Sequence, residues 1–216
     1  MSDFLQKLGL VPFFTQQLED LALLHERLGR VTAVQRSRST VVCGSGERVV
    51  ELSSALRQSA AIDRPTVGDW VVLDESLSTI EKVLERKSLF KRLGAGTTNE
   101  IQPIAANIDI LFIVTSCNEE FNESRLERYL ALCAESGAVP VIVLTKTDLV
   151  GDADEYIRRA RNTQAGVPVE AVNALDPATL DGVRSWIDHT STVVLVGSSG
   201  VGKSTILNTL AGHSLT

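Results

Sequence analysis

The sequence predicts an all-β barrel of OB type followed by an α/β domain built on a mostly parallel sheet. Three observations predict it. Between Gly29 and Leu84 lie five short runs rich in Val, Ile and Thr. From Ile108 onward, wholly apolar runs alternate with helical segments. Between the two, the polar stretch GAGTTNEIQ marks the change of period. The predicted organisation is an N-terminal helical extension over 1–27, a barrel over 28–92, a linker over 93–107, and an α/β domain over 108–216.

In the extension, Leu18, Leu21, Leu24 and Leu28 stand at helical spacing and predict one helix packed on the barrel. The five runs are RVTAVQ, STVVCG, ERVVEL, DWVVLD and TIEKVL. The longest gap, SSALRQSAAIDRPTVG, begins helix-compatible and ends in a Pro/Gly break. Five strands with a helix between the third and fourth is the layout of an OB-type barrel, whose face and loops often bind oligonucleotides. Five strands alone also suit another small barrel. Trp70 is read as a packing residue rather than a base-stacking platform.

In the second domain IDILFIVTS, VPVIVLTKTDL, VPVEAVNA and STVVLVG read as strands. RLERYLALCAESGA, DADEYIRRARNTQAG and ATLDGVRSWI read as the helices between them. Strands apolar throughout belong to a parallel sheet covered on both faces. Such sheets bind ligands at the carboxyl ends of their strands. TKTD and GSSGVGKS both follow strand ends, so they are expected to form one site.

In GSSGVGKST, Gly197, Ser198, Ser199, Gly200, Val201, Gly202, Lys203, Ser204 and Thr205 match a phosphate-binding P-loop. Glycines let the backbone curl around an oxyanion with its N–H groups pointing inward. The following helix N-terminus adds partial positive charge. Lys203 is expected to reach the β- and γ-phosphate oxygens and stabilise charge there, and Ser204 to offer a hydroxyl to Mg²⁺. The flanking apolar strand and helical segment supply the context this motif needs.

The loop does not separate ATP from GTP; Thr145, Lys146, Thr147 and Asp148 do. The Asp148 carboxylate can accept two hydrogen bonds from guanine, from N1–H and the exocyclic amine, a pair adenine lacks. An ATP-dependent enzyme is therefore disfavoured. The Lys146 stem can lie along the base. Asn usually opens this motif, so Thr145 forfeits an amide that braces base and P-loop. In VNALD, Asn173 takes the place of the usual Ser of a base-backing loop, and the Ala174 amide is placed for guanine O6. Guanine recognition thus precedes the phosphate loop, a circular permutation of the usual GTPase order. It is tolerable because chain termini can be joined and reopened at the surface.

With that order, the chain resembles the bacterial circularly permuted GTPases of the ribosome small-subunit-dependent GTPase A family. PFFTQQ, GRV, RPTVGDWVVLD, ANID, FNESRLERYLALCAESGAVPVIVLTKTDL and TVVLVGSSGVGKST carry the resemblance over nearly the whole chain. It implies an OB domain that contacts ribosomal RNA, and a GTPase domain stimulated by the small subunit during its late maturation. It also implies a zinc-binding C-terminal domain, switch regions, a D-x-x-G aspartate and a catalytic histidine, none of which can be placed on these residues. The chain is accordingly expected to be the first two-thirds of such a protein, inactive in GTP turnover by itself. The alternative is a nucleotide-sensing RNA-binding module without turnover of its own.

Composition bounds the rest. Hydrophobic residues make up 44% of the 216, enough to bury a core, and no apolar run approaches the ~18 residues a membrane span needs. Three cysteines in no metal or disulfide spacing, with no signal-peptide layout, predict a cytoplasmic protein with reduced thiols. His25, His189 and His213 stand alone. A monomer is expected. The net charge of −6 falls entirely in residues 101–216, whereas Glu81–Arg92 holds five basic residues against two acidic. Lys82, Lys87, Lys91 and Arg92, with Arg36 and Arg38, are the candidate RNA contacts; the other reading of the strip is a solvated connector.

Overall fold

The computed structural model describes residues 3–20, 25–35, 38–93 and 101–212. The chain divides into two compact units, residues 1–108 with 189–192, and residues 109–188 with 193–216.

The first unit is built on a closed five-stranded barrel. Its strands are β1 (Leu28–Val34), β2 (Arg38–Cys43), β3 (Gly46–Leu52), β4 (Trp70–Leu73) and β5 (Thr79–Val83), in the order β1-β2-β3-β5-β4. All neighbours are antiparallel except β3 and β5. The predicted helix between the third and fourth strands is present, following the two helices of the extension as α3, Ser54–Gln58, with Ser53 as its cap.

The extension departs from the expected single helix. It forms α1 (Asp3–Lys7) and α2 (Pro12–Asp20), and Leu28 opens strand β1. Gly9, at φ 84°, turns the chain out of α1, and Pro12 suits the first position of α2 because its missing N–H is not needed there. Leu21 and Leu24 lie outside the described residues. Leu5, Leu10, Phe14 and Leu18 still pack against Leu28, Trp70, Val72 and Leu84. Strand β4 is therefore covered on both faces, since Val71 and Leu73 point into the barrel with Val31, Val41, Val50 and Ile80. Trp70 is fully buried beside Phe14, as its reading as a packing residue requires.

The connector also departs from expectation. Strands β6 (Leu89–Leu93) and β7 (Ile101–Ala106) pair antiparallel, so much of 93–107 is sheet. Residues 94–100 of the expected linker lie outside the described residues. Next to this hairpin, Asp69 is buried and held by Arg86, whose Nε and Nη2 donate to it at 2.8 Å each. Arg86 also donates to the carbonyls of Ile62 and Arg64. Burial raises the Asp69 pKa, and the bonds and charge of Arg86 oppose that rise.

The second unit carries four parallel strands in the order β10-β9-β8-β11. These are β8 (Ile110–Ser116), β9 (Val139–Thr145), β10 (Val169–Ala171) and β11 (Val193–Val196). All seven residues of β8 are buried, as expected of a strand with both faces covered. Helices α4 (Glu123–Ser136) and α5 (Asp154–Thr163) pack on one face. On the other, Phe112, Val114, Val141 and Val143 meet Leu180, Val183, Val201 and Ile206 of the segments around α6 (Asp181–Ser185) and α7 (Lys203–Ala211). No helix among the described residues is long and apolar enough to cross a membrane.

Candidate functional site

Strand β9 delivers Thr145, fully buried, to the carboxyl edge of the sheet. Its hydroxyl lies 2.6 Å from the Val201 carbonyl and 3.3 Å from that of Thr115. A hydroxyl has one proton to donate, and the shorter contact takes it. The loss of bracing expected at Thr145 is thus not complete, because the hydroxyl ties strand β9 to the glycine-rich loop. Lys146 then adopts a left-handed backbone, φ 59° and ψ 34°, which for a side-chain-bearing residue costs about 1 kcal/mol or more. That turn redirects the chain into the short 3₁₀ segment Thr147–Leu149 and leaves Asp148 exposed.

After β10, Asn173 closes a loop upon itself. Its N–H donates to Thr179 Oγ1 at 3.1 Å, its side-chain oxygen accepts the Leu175 N–H at 3.0 Å, and its carbonyl accepts the Asp176 N–H at 2.9 Å. The Ala174 carbonyl accepts from Thr209 of α7 at 2.7 Å. The Ala174 N–H has no protein acceptor among the described residues, so it remains able to donate.

Strand β11 leads into the glycine-rich loop. Gly197 sits at φ 148°, and a Cβ there would lie 2.2 Å from the Val114 carbonyl, so no side chain fits. Gly202, at φ 99°, caps α7 with a left-handed turn. Lys203 folds back over the loop, its Nζ donating to the carbonyls of Gly197 at 3.0 Å and Ser198 at 2.6 Å. Ser204 is exposed in the first turn of α7.

Thr145, Lys146, Asp148, Asn173, Ala174, Gly200, Gly202 and Thr205 line one cavity of about 280 Å³. Three segments distant in sequence therefore meet at one sheet edge. Thr147, Gly197, Ser198, Ser199, Val201, Lys203 and Ser204 belong to the same two loops but do not line that cavity.

The family model described as RsgA GTPase matches residues 83–216. The chain belongs to the RsgA GTPase family. It is 42% identical over 209 residues to the small ribosomal subunit biogenesis GTPase RsgA 2 of Vibrio vulnificus, covering 97% of this chain and 58% of that protein. It is 40% identical over 215 residues to RsgA of Mesorhizobium japonicum, covering 99% of this chain and 60% of the relative. The chain thus spans about three-fifths of the length of these relatives. Among solved structures, YjeQ from Thermotoga maritima superposes with a TM-score of 0.66 at 23% identity, over 85% of this chain and 64% of that one. YloQ, described as a circularly permuted GTPase, gives 0.60 at 25% identity over the same shares.

Several residues of this RsgA-family chain were not singled out by sequence. Leu149 and Leu175, 71% and 75% exposed, also line the cavity. Leu149 directly follows Thr145–Asp148 and Leu175 lies within VNALD, which is the signal that was there to find. Arg125, on α4, donates to Ser198 Oγ of the glycine-rich loop. It carries no local signal, since it looks like any charged residue on a helix surface.

The candidate RNA contacts are spread over two sheets. Lys82 is exposed on β5, Lys91 and Arg92 lie on β6, and Lys87 is exposed between them. Arg38, on β2, lies 3.9 Å from Glu51. Arg36 lies outside the described residues. Lys82 borders a groove of about 500 Å³ that Asp63, Glu81, Glu85 and Arg86 also line.

Proposed function

We propose that this chain supplies the guanine- and phosphate-binding parts of a GTP hydrolase acting in late maturation of the small ribosomal subunit. The observation that carries the reading is the convergence of TKTD, the Asn173–Ala174 loop and the glycine-rich loop on one cavity. In this reading Asp148 takes the two guanine donors, Lys146 lies along the base and the Ala174 N–H meets O6. The amides of Ser198 to Lys203, with the N-terminus of α7, hold the phosphates, and Lys203 exchanges its two loop carbonyls for phosphate oxygens. Ser204, exposed and at the head of α7, fits a hydroxyl ligand of Mg²⁺, which would neutralise phosphate charge. The names of the relatives support the ribosomal role.

The barrel is read as OB-type from its closed β1-β2-β3-β5-β4 order with α3 between β3 and β4. It is the proposed contact with ribosomal RNA. Neutralising Lys87, Lys91 and Arg92 together is expected to weaken binding to small subunits and to flatten its salt dependence, by about 0.7–0.9 in log–log slope for each lost phosphate contact. An unchanged slope would assign the strip to solvent.

Residues 1–216 expressed alone are expected to bind GDP without turning over GTP. They span about three-fifths of their relatives, and in the described sheet β11 has β8 as its single neighbour. A fluorescent GDP analogue measures binding, and phosphate release from GTP with Mg²⁺ measures turnover. Turnover abolished by Lys203→Ala would show these residues to be a complete hydrolase. Absence of turnover in the full-length protein with small subunits would favour the second reading, a nucleotide-sensing RNA-binding module.

A further inference from the structure

The glycine-rich loop is held from two sides, by different elements. At Val201 it is held by the Thr145 hydroxyl from the end of β9. At Ser198 it is held by Arg125, from α4. Nothing in the phosphate-loop motif requires the second hold, because backbone amides and Lys203 supply the contacts that the motif is known by.

Arg125 is itself placed with care. Asn122 caps α4, its Oδ1 accepting the Arg125 N–H at 2.9 Å, which fixes the first helical turn. The turn before it is braced by Asn118, whose Oδ1 accepts the Glu120 N–H at 3.0 Å and the Ser116 hydroxyl at 2.8 Å. Glu120 in turn sets a carboxylate 3.7 Å from Arg125 Nη1. The Arg125 side chain is 33% exposed, so most of it is withdrawn from solvent. Ser198 meanwhile accepts on both its polar oxygens, Oγ from Arg125 and the carbonyl from Lys203 at 2.6 Å.

We propose that Arg125 is a positioning residue for the phosphate loop, fixing Ser198 so that the loop keeps its anion-binding curvature when Lys203 leaves the Ser198 carbonyl for a phosphate. The inference rests on the reading of this loop as the phosphate site. It assigns Arg125 an effect on nucleotide affinity exerted through Ser198, and no contact with the nucleotide itself. Two cations then act on one residue, with Arg125 holding its side chain and Lys203 releasing its main chain.

The test measures the affinity of residues 1–216 for a fluorescent GDP analogue in Arg125→Ala, Arg125→Lys, Ser198→Ala and the Arg125→Ala/Ser198→Ala pair. Thermal unfolding without nucleotide shows whether each variant folds. A hydrogen bond to a charged group sets the expected loss at about tenfold for Arg125→Ala and for Ser198→Ala. The double variant should be no more than about twofold weaker than either single one, because both changes remove the same contact. Arg125→Lys should recover part of the loss, since a Lys can still donate to Ser198. Unchanged affinity in Arg125→Ala, or losses that multiply in the double variant, would overturn the assignment. Lys203→Ala separates the two readings. If it abolishes binding while Arg125→Ala does not weaken it, the site stands and the role of Arg125 falls. If Lys203→Ala binds as the unmodified chain does, or the unmodified chain does not bind, the phosphate site falls and this inference with it.

Discussion

Asp148→Asn is expected to lower affinity for guanine nucleotides by about a hundredfold, because one hydrogen bond to the charged carboxylate, contributing about 1.5–3 kcal/mol, is replaced by a donor facing a donor and the other loses its charge. Asp148 is exposed at the cavity that Lys146, Ala174 and Leu175 share. Asn has the same shape, accepts one bond as Asp does, and donates where Asp accepts. It therefore repels the guanine amine and matches the 2-carbonyl of xanthine. The turn that presents it is fixed by backbone, through the left-handed Lys146 and the Leu149 N–H to Lys146 carbonyl bond at 3.1 Å. Folding should consequently be untouched. Titration with GDP and XDP analogues measures both halves of the claim. Equal GDP affinity in the variant would remove the reason for calling this a guanine site.

The second large effect lies in the barrel unit. Arg86→Met is expected to cost about 3–5 kcal/mol, the usual result of leaving one member of a buried ion pair alone. That is a large part of the 5–15 kcal/mol that typically separates folded from unfolded domains. Asp69 has no exposed surface, and with Arg86 gone it keeps the Thr66 N–H at 2.7 Å as its remaining close donor among the described residues. The pH dependence follows from the direction of the Asp69 shift, which burial drives upward. A carboxyl with a raised folded-state pKa contributes its stability below the ordinary aspartate value and loses it as pH rises through the raised one. Removing Arg86 raises that pKa further, so the deficit should be widest near neutrality and narrow as the solution is acidified. Urea unfolding followed by Trp70 fluorescence in a Trp186→Phe background reads the barrel directly. A deficit under about 1 kcal/mol, or one indifferent to pH, would mean that Arg86 does not compensate the buried charge.

What the sequence revealed divides along physical lines. The barrel strands and the parallel strands were legible because each is a short apolar run ended by a turn residue, and their order made the permutation visible. The residues of the three loops were legible because their chemistry needs particular side chains at fixed spacing. The extension misled, since Leu18, Leu21, Leu24 and Leu28 have helical spacing whether or not a helix is continuous through them. Leu28 goes into β1, where pairing with Val72 of the neighbouring strand β4 outweighs local spacing. The β6–β7 hairpin was hidden because Lys91 and Arg92 read as surface charge and Pro103 interrupts the second strand's pattern. Arg125 and the Thr145 brace were illegible for another reason. Each acts on a residue more than 50 positions away, and periodicity carries no information at that range.

The order of strands in the second sheet has a consequence for synthesis. Chains leave the ribosome N-terminus first, at about 5–20 residues per second, so the roughly 60 residues from Thr145 to Lys203 take on the order of 3–12 seconds to follow. During that interval β8, β9 and β10 can pair, while the β8 edge that β11 will occupy stays open. Every residue of β8 is apolar or buried, which makes that edge a template for any passing strand. The nascent protein therefore holds its base-side loops before its phosphate-side loop, and carries an open β8 edge until β11 arrives to pair with it. Translation pauses after Ala174, before β11 is made, should increase aggregation over uninterrupted synthesis.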